Sequence, residues 1–94
     1  MTLDLFKPLS EMQKERVNMA MLEKPPHSPG VYTMYGSKDE VLYVGKAKNL
    51  FKRITSYRYS KSKKVQSMIA QIQRFGFEIC KTEMDAILLE NLLI

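Results

Sequence analysis

The fold class this sequence predicts is α+β: a small three-stranded, mainly antiparallel sheet flanked by helices. Three observations carry that reading. Two short runs rich in β-branched and aromatic residues, Val31–Tyr35 and Val41–Val44, are joined by the polar stretch Gly36–Glu40, the pattern of a β-hairpin. After Gly45 the apolar spacing becomes helical, and a third alternating run, Phe77–Lys81, follows only later. The 94 residues suffice for one hydrophobic core and not for two.

In chain order, Ser10 stands three residues before Gln13, a capping-box spacing. No Gly or Pro follows until Pro25, so a first helix is predicted over about 10–24. Pro25-Pro26-His27-Ser28-Pro29-Gly30 stops that helix and forms an extended entry into the hairpin. Asn49 is placed to cap a second helix running to about Tyr57, with Leu50, Ile54 and Tyr57 at helical spacing. Val65, Met68, Ile69 and Ile72 mark a third amphipathic helix, with Gly76 as its C-terminal stop. Thr82-x-x-Asp85 opens a last helix, Met84–Ile94, which is apolar almost all round and is therefore expected to be buried. The expected organisation is an N-terminal helical extension with its proline-rich entry, 1–28, followed by one domain, 29–94.

Composition narrows the chemistry. One cysteine, Cys80, and one histidine, His27, exclude an internal disulfide and any His/Cys metal cluster, so a metal here must be held by oxygen ligands. Cys80 reads as a small core residue and His27 as an exposed loop residue rather than a general base. No leader-like start and no membrane-length apolar run is visible, so a bacterial or intracellular cytosolic location without membrane contact is expected. Net charge is +5, but from Val41 to Phe77 there are nine basic residues and no acidic one. Such a block tracks a polyanion or forms a solvated surface. The DNA-contact candidates are Lys46, Lys48, Lys52, Arg53, Arg58, Lys61, Lys63 and Lys64.

Three features invite a chemical reading. Glu90 lies within the apolar last helix, where a carboxylate needs a partner unless it faces water at the helix edge. All five tyrosines fall between Tyr32 and Tyr59, as core aromatics of the hairpin or as functional phenols. Arg53 and Tyr57, four apart on one helix, can point at one spot beside Lys46.

Pro29-Gly30-Val31-Tyr32, then Leu42 through Leu50 with its Tyr-Val-Gly and Gly-Lys-Ala-Lys-Asn-Leu runs, then Lys52 through Tyr57, then Glu83 through Ile94, resemble in that order the GIY-YIG nuclease superfamily. The Gly-Lys-Ala-Lys-Asn-Leu run looks like the UvrC branch, the N-terminal catalytic domain of the excision-repair nuclease subunit, or its relative Cho. The resemblance implies catalytic roles for Tyr32, Tyr43, Lys46, Arg53, Tyr57 and Glu90, with Glu90 holding one divalent cation, Mg²⁺ or Mn²⁺. It implies hydrolysis of one phosphodiester bond in damaged duplex DNA, 3′ of a lesion, after engagement with a UvrB–DNA complex. A standalone restriction- or homing-type nuclease and a non-catalytic DNA-binding module are the alternatives. Tyr43 is preferred over Tyr32 as the base, because Lys46 follows it and nearby cations favour a phenolate. Lys61, Lys63 and Lys64 are expected to serve binding alone, remote from the chemistry. The branch pattern places Asn where this chain has Leu92 and continues past Ile94, so the domain is expected to be cut short at its C-terminal end; it is expected to be monomeric.

Overall fold

A computed structural model describes residues 8–93, in the order α1 (Leu9–Ala20), β1 (Gly30–Tyr35), β2 (Val41–Ala47), α2 (Leu50–Ser56), α3 (Lys63–Gln71), β3 (Arg74–Ile79) and α4 (Glu83–Leu93). Residues 1–7 of the expected extension and Ile94 lie outside the described residues. The α+β expectation holds. The sheet order is β2-β1-β3 and both pairings are antiparallel. In the hairpin turn the Gly36 N–H donates to the Glu40 carbonyl at 2.9 Å, and Asp39 takes the left-handed backbone with φ 58°.

Alternation along the strands gives the sheet two unlike faces. One carries Tyr32, Met34, Phe75 and Phe77, and packs with Val17 and Ala20 of α1, Leu50 and Ile54 of α2, and Ile69 of α3 in the hydrophobic core. The other carries Val31, Thr33 and Val44, and α4 packs against β1 and β2 there, with Leu93 beside them. Val17 is fully buried and Ala20 nearly so, so the helix expected as an extension belongs to the same core as the sheet.

Several sequence-based expectations are corrected. α1 begins at Leu9, capped by Pro8, whose carbonyl accepts from Glu11 at 3.0 Å and Met12 at 3.2 Å; Ser10 makes no cap, and Gln13 is used elsewhere. The helix stops at Ala20, and the chain then turns to seat Pro25 fully buried. Gly76 is not a helix stop. It lies inside β3 opposite Thr33, where the Tyr35 ring leaves no room for a side chain, so β3 starts at Arg74 rather than Phe77. Cys80 falls past the end of that strand, half-buried, its N–H donating to the Pro29 carbonyl at 2.8 Å. α4 is capped as expected, Thr82 Oγ1 accepting from the Asp85 N–H at 3.2 Å. It is nevertheless not buried all round: Met84, Leu88 and Leu92 are more than half exposed, because the sheet covers one side of the helix only.

Candidate active site

The site starts from a missing side chain. Tyr32, at the centre of β1, pairs with Gly45 of β2, and its phenol lies across that glycine. A Cβ at Gly45 would sit 2.6 Å from both the Tyr32 Cζ and its hydroxyl, so only glycine admits the ring here. Tyr43, two residues earlier in β2, shares this face, its ring centre 6.1 Å from that of Tyr32. Tyr32 is fully buried, whereas Tyr43 is 37% exposed.

The second half of the site comes from α2. The Asn49 side chain accepts from the Lys52 N–H at 3.0 Å, and the carbonyls of Ser28 and Pro26 accept from Leu50 at 2.9 Å and Phe51 at 3.1 Å. The proline-rich entry thus completes the N-terminus of this seven-residue helix. His27 bonds Asn49 at 3.0 Å and lies on the Phe51 ring, which makes it part of that cap. Arg53 then reaches the sheet: its Nε donates to the Tyr32 hydroxyl at 3.3 Å and its guanidinium sits 5.6 Å from the Tyr57 ring centre. Tyr57 opens a 3-10 turn, Tyr57–Tyr59, stacks on Phe75, and joins its hydroxyl to that of Tyr32 in a short hydrogen bond. Gln13 of α1 braces this turn, its Nε2 donating to the carbonyls of Tyr57 and Ser60 at 2.9 Å each.

These neighbours set the proton affinities. Burial pushes the Tyr57 phenol well above its ordinary value, and the bond to Tyr32 adds to it. The Arg53 guanidinium is held still more firmly protonated by its bond to Tyr32. Burial also raises the Tyr43 phenol, and Tyr32 and Glu90 push the same way while Arg53 pulls down without prevailing. The depressed phenol expected from neighbouring cations is therefore not what the chain's own residues produce. The same interaction places the half-buried Glu90 of α4 within electrostatic reach of Tyr43.

Tyr43, Arg53, Tyr57 and Lys64 line one open cleft of about 430 Å³, with Ser56, Ser60 and the apolar edge of α3. Of the residues singled out from sequence, Tyr32, Tyr43, Arg53 and Tyr57 are brought together, and Glu90 of α4 lies within electrostatic reach of Tyr43. Lys46 stands in β2, and its pairing with Val31 puts it, exposed, on the face opposite the phenols, away from the spot that Arg53 and Tyr57 share. Lys48, Lys52, Lys61 and Lys63 are exposed around α2 and α3. Arg58 is tied down, donating to the Thr55 carbonyl at 3.1 Å and to Asn18 at 3.4 Å. One residue that braces the site escapes the sequence reading: Gln13 is mistaken for a capping residue. Lys64, expected as a DNA contact remote from the chemistry, is brought by α3 to the cleft wall.

Comparison with known proteins gives a consistent result. The family model for the UvrC-like GIY-YIG domain matches residues 28–94. The chain is 48% identical over 77 residues to the UvrABC system protein C of Aromatoleum aromaticum, covering 80% of this chain and 13% of that protein. With the same protein of Haemophilus influenzae the identity is 46% over 67 residues, covering 69% of this chain and 11% of the relative. The chain thus spans only a small part of the curated relatives it matches. Among solved structures, the GIY-YIG N-terminal endonuclease domain of UvrC from Thermotoga maritima, bound to its catalytic divalent cation magnesium, superposes with a TM-score of 0.71 at 28% identity. That superposition covers 89% of this chain and 88% of that one.

Proposed function

Because the chain belongs to the UvrC-like GIY-YIG family, we propose that it is the nuclease domain of an excision-repair enzyme, a divalent-metal-dependent endodeoxyribonuclease that hydrolyses one phosphodiester bond 3′ of a lesion. Its substrate in this reading is damaged duplex DNA presented in a UvrB–DNA complex, in the cytoplasm of a bacterium, with the domain acting as a monomer. No described helix is long and apolar enough to cross a membrane.

The observation that carries the reading is the convergence of a guanidinium, two phenols and a lysine on one open cleft, with the buried Tyr32 hydroxyl bonded behind them and a single carboxylate within electrostatic reach of the more accessible phenol. The guanidinium and the lysine suit a phosphate, and the carboxylate oxygen of Glu90 suits a hard cation. The described residues contain no group of three His, Cys, Asp or Glu side chains, and magnesium keeps most of its shell as water and phosphate oxygen, needing one or two carboxylates. Glu90 would hold it, and the bound cation would supply Lewis acidity toward the phosphate and the departing oxygen.

The rest is the work of the chain's own residues. Arg53, fixed by Tyr32 and Tyr57, offers its remaining donors to the non-bridging phosphate oxygens, whose charge grows in the transition state. Tyr43 faces the cleft as a protonated phenol, and its hydroxyl orients the attacking water; a proton-accepting role at that oxygen requires the phenol first to lose its own proton. Lys64 neutralises the strand at the cleft wall, and Lys46, Lys48, Lys52, Lys61 and Lys63 hold flanking phosphates.

The test is nicking of damaged duplex by the chain in magnesium, alone and with UvrB, for wild type and Glu90→Gln. Loss of nicking with an unchanged melting transition is expected, since the amide keeps the shape and removes the charged ligand. A variant that nicks within about tenfold of wild type, a change of only about 1.4 kcal/mol, would refute the assignment of Glu90.

A further inference from the structure

Beside the cleft a second groove of about 540 Å³ opens between α1, the 3-10 turn and α3. Lys14 and Arg16 of α1 line one side, Arg58 and Lys61 the other. Ser60 lines both this groove and the cleft of Arg53 and Tyr57, so the two are neighbours across that residue. Tyr59 also lines the groove and is 64% exposed. The Lys14 Nζ stands 5.4 Å and the Arg58 guanidinium carbon 5.8 Å from its ring centre. Both lie near the outer limit of about 6 Å for a cation on an aromatic face, and Arg58 is held by the Thr55 carbonyl and Asn18 rather than by the ring.

Building on the nuclease reading above, we infer that this groove is a track for unpaired nucleotides of the strand being cut, with a base against Tyr59 and phosphates on Lys14, Arg16 and Lys61. Three observations carry the assignment. Cations on opposite walls of a groove that adjoins the reacting cleft are complementary to a chain of phosphates. An exposed ring between them offers a π face, which every base can use and an acidic peptide does not need. The acid bonded to Lys14 is Glu11, at 3.3 Å and with Lys14 half-buried and Glu11 exposed, a surface pairing that a phosphate can displace. The strand must be unpaired, because a base inside a duplex has both faces already stacked. The groove therefore selects DNA that has been opened next to the cut. None of Lys14, Arg16 and Tyr59 lies in the family-like segments that suggested the nuclease, and α1 becomes part of the substrate surface.

The experiment measures fluorescence anisotropy of labelled oligothymidylate, and of a duplex of equal length, on the chain without divalent metal. Tyr59→Ala is expected to weaken single-strand binding by roughly tenfold, the effect of losing one stacked base, whereas Tyr59→Phe retains it. Duplex affinity should change much less. Lys14→Ala with Lys61→Ala should flatten the dependence of log affinity on log salt by about 0.7 for each lost contact. Wild-type affinity in Tyr59→Ala, or equal loss in Tyr59→Phe, would overturn the proposal. So would oligoglutamate binding that falls in these variants while oligonucleotide binding does not, which would assign the groove to an acidic protein segment. Magnesium-dependent nicking by wild type is read in parallel. Its absence would count against the nuclease reading, while the anisotropy series alone decides the groove.

Discussion

At Arg53 a charged donor is aimed by a neutral acceptor. One nitrogen is committed to the Tyr32 hydroxyl and the plane is steadied by the Tyr57 ring, yet the side chain as a whole remains exposed to an incoming phosphate. Its donors are thus set before substrate arrives, the condition under which such a group is most effective. Arg53→Ala should lower the single-turnover nicking rate by about 100- to 1,000-fold. Arg53→Lys should recover little of it, because an ammonium keeps the charge and loses the fork. An Arg53→Lys enzyme at full speed would show that the guanidinium only neutralises charge. Tyr57 gives a pH signature. Its folded-state phenol is raised, so the unfolded chain releases that proton more readily. The stability it contributes is complete below the unfolded value of about 10 and is lost as pH climbs beyond it. Tyr57→Phe should therefore flatten the fall of the melting temperature on the alkaline side of about pH 10. A variant that declines as steeply as wild type would show that other groups dominate there.

Among the elements, β2 is organised by Gly45. A methyl group there collides with a buried ring that is itself bonded to Arg53 and Tyr57, so it cannot be absorbed by a floppy surface chain. Gly45→Ala should cost about 1–3 kcal/mol in urea denaturation and reduce nicking further than that loss explains, since the displaced phenol carries Arg53 with it. Unaltered activity would mean that Tyr32 has room to retreat. The hairpin, α2 and its Asn49 cap were legible in the sequence because each is a local matter of alternation, a polar loop and a cap residue at the right offset. Tyr32, Tyr43, Arg53 and Tyr57 were legible through their order along the chain. The start of β3 was not, because Gly76 obeys the local rule for a helix stop while the Tyr35 ring across the sheet decides its place. The role of Gln13 and the nearness of Lys64 to the cleft were hidden for the same kind of reason: what they touch is set by how α1 and α3 lie on the core, which no spacing encodes. For the chain's own groups the Tyr43 shift is upward because burial outweighs the pull of Arg53, a cost that counting nearby cations omits.

For the whole molecule, the N-terminal helix decides what counts as the domain. The family match begins at residue 28, yet Val17 and Ala20 fill the core and Gln13 holds the turn that carries Tyr57. A chain starting at Pro25 should accordingly lose its cooperative urea transition, since burying Val17 alone is worth about 1.5–3 kcal/mol in a domain this small. A truncated chain with the full-length midpoint would make α1 dispensable. The capping of α2 by the entry segment has a further consequence, readable in deuterium uptake. The first amides of a short helix ordinarily have no internal partner and exchange quickly. Those of Leu50 and Phe51 are bonded to carbonyls more than twenty positions back along the chain, in a segment whose Pro25 is sealed in the core. Their protons can leave only when the entry itself lifts away. Leu50 and Phe51 should thus exchange as slowly as the central strand, and their uptake rate is a direct clock for how often the segment beneath Arg53 lets go.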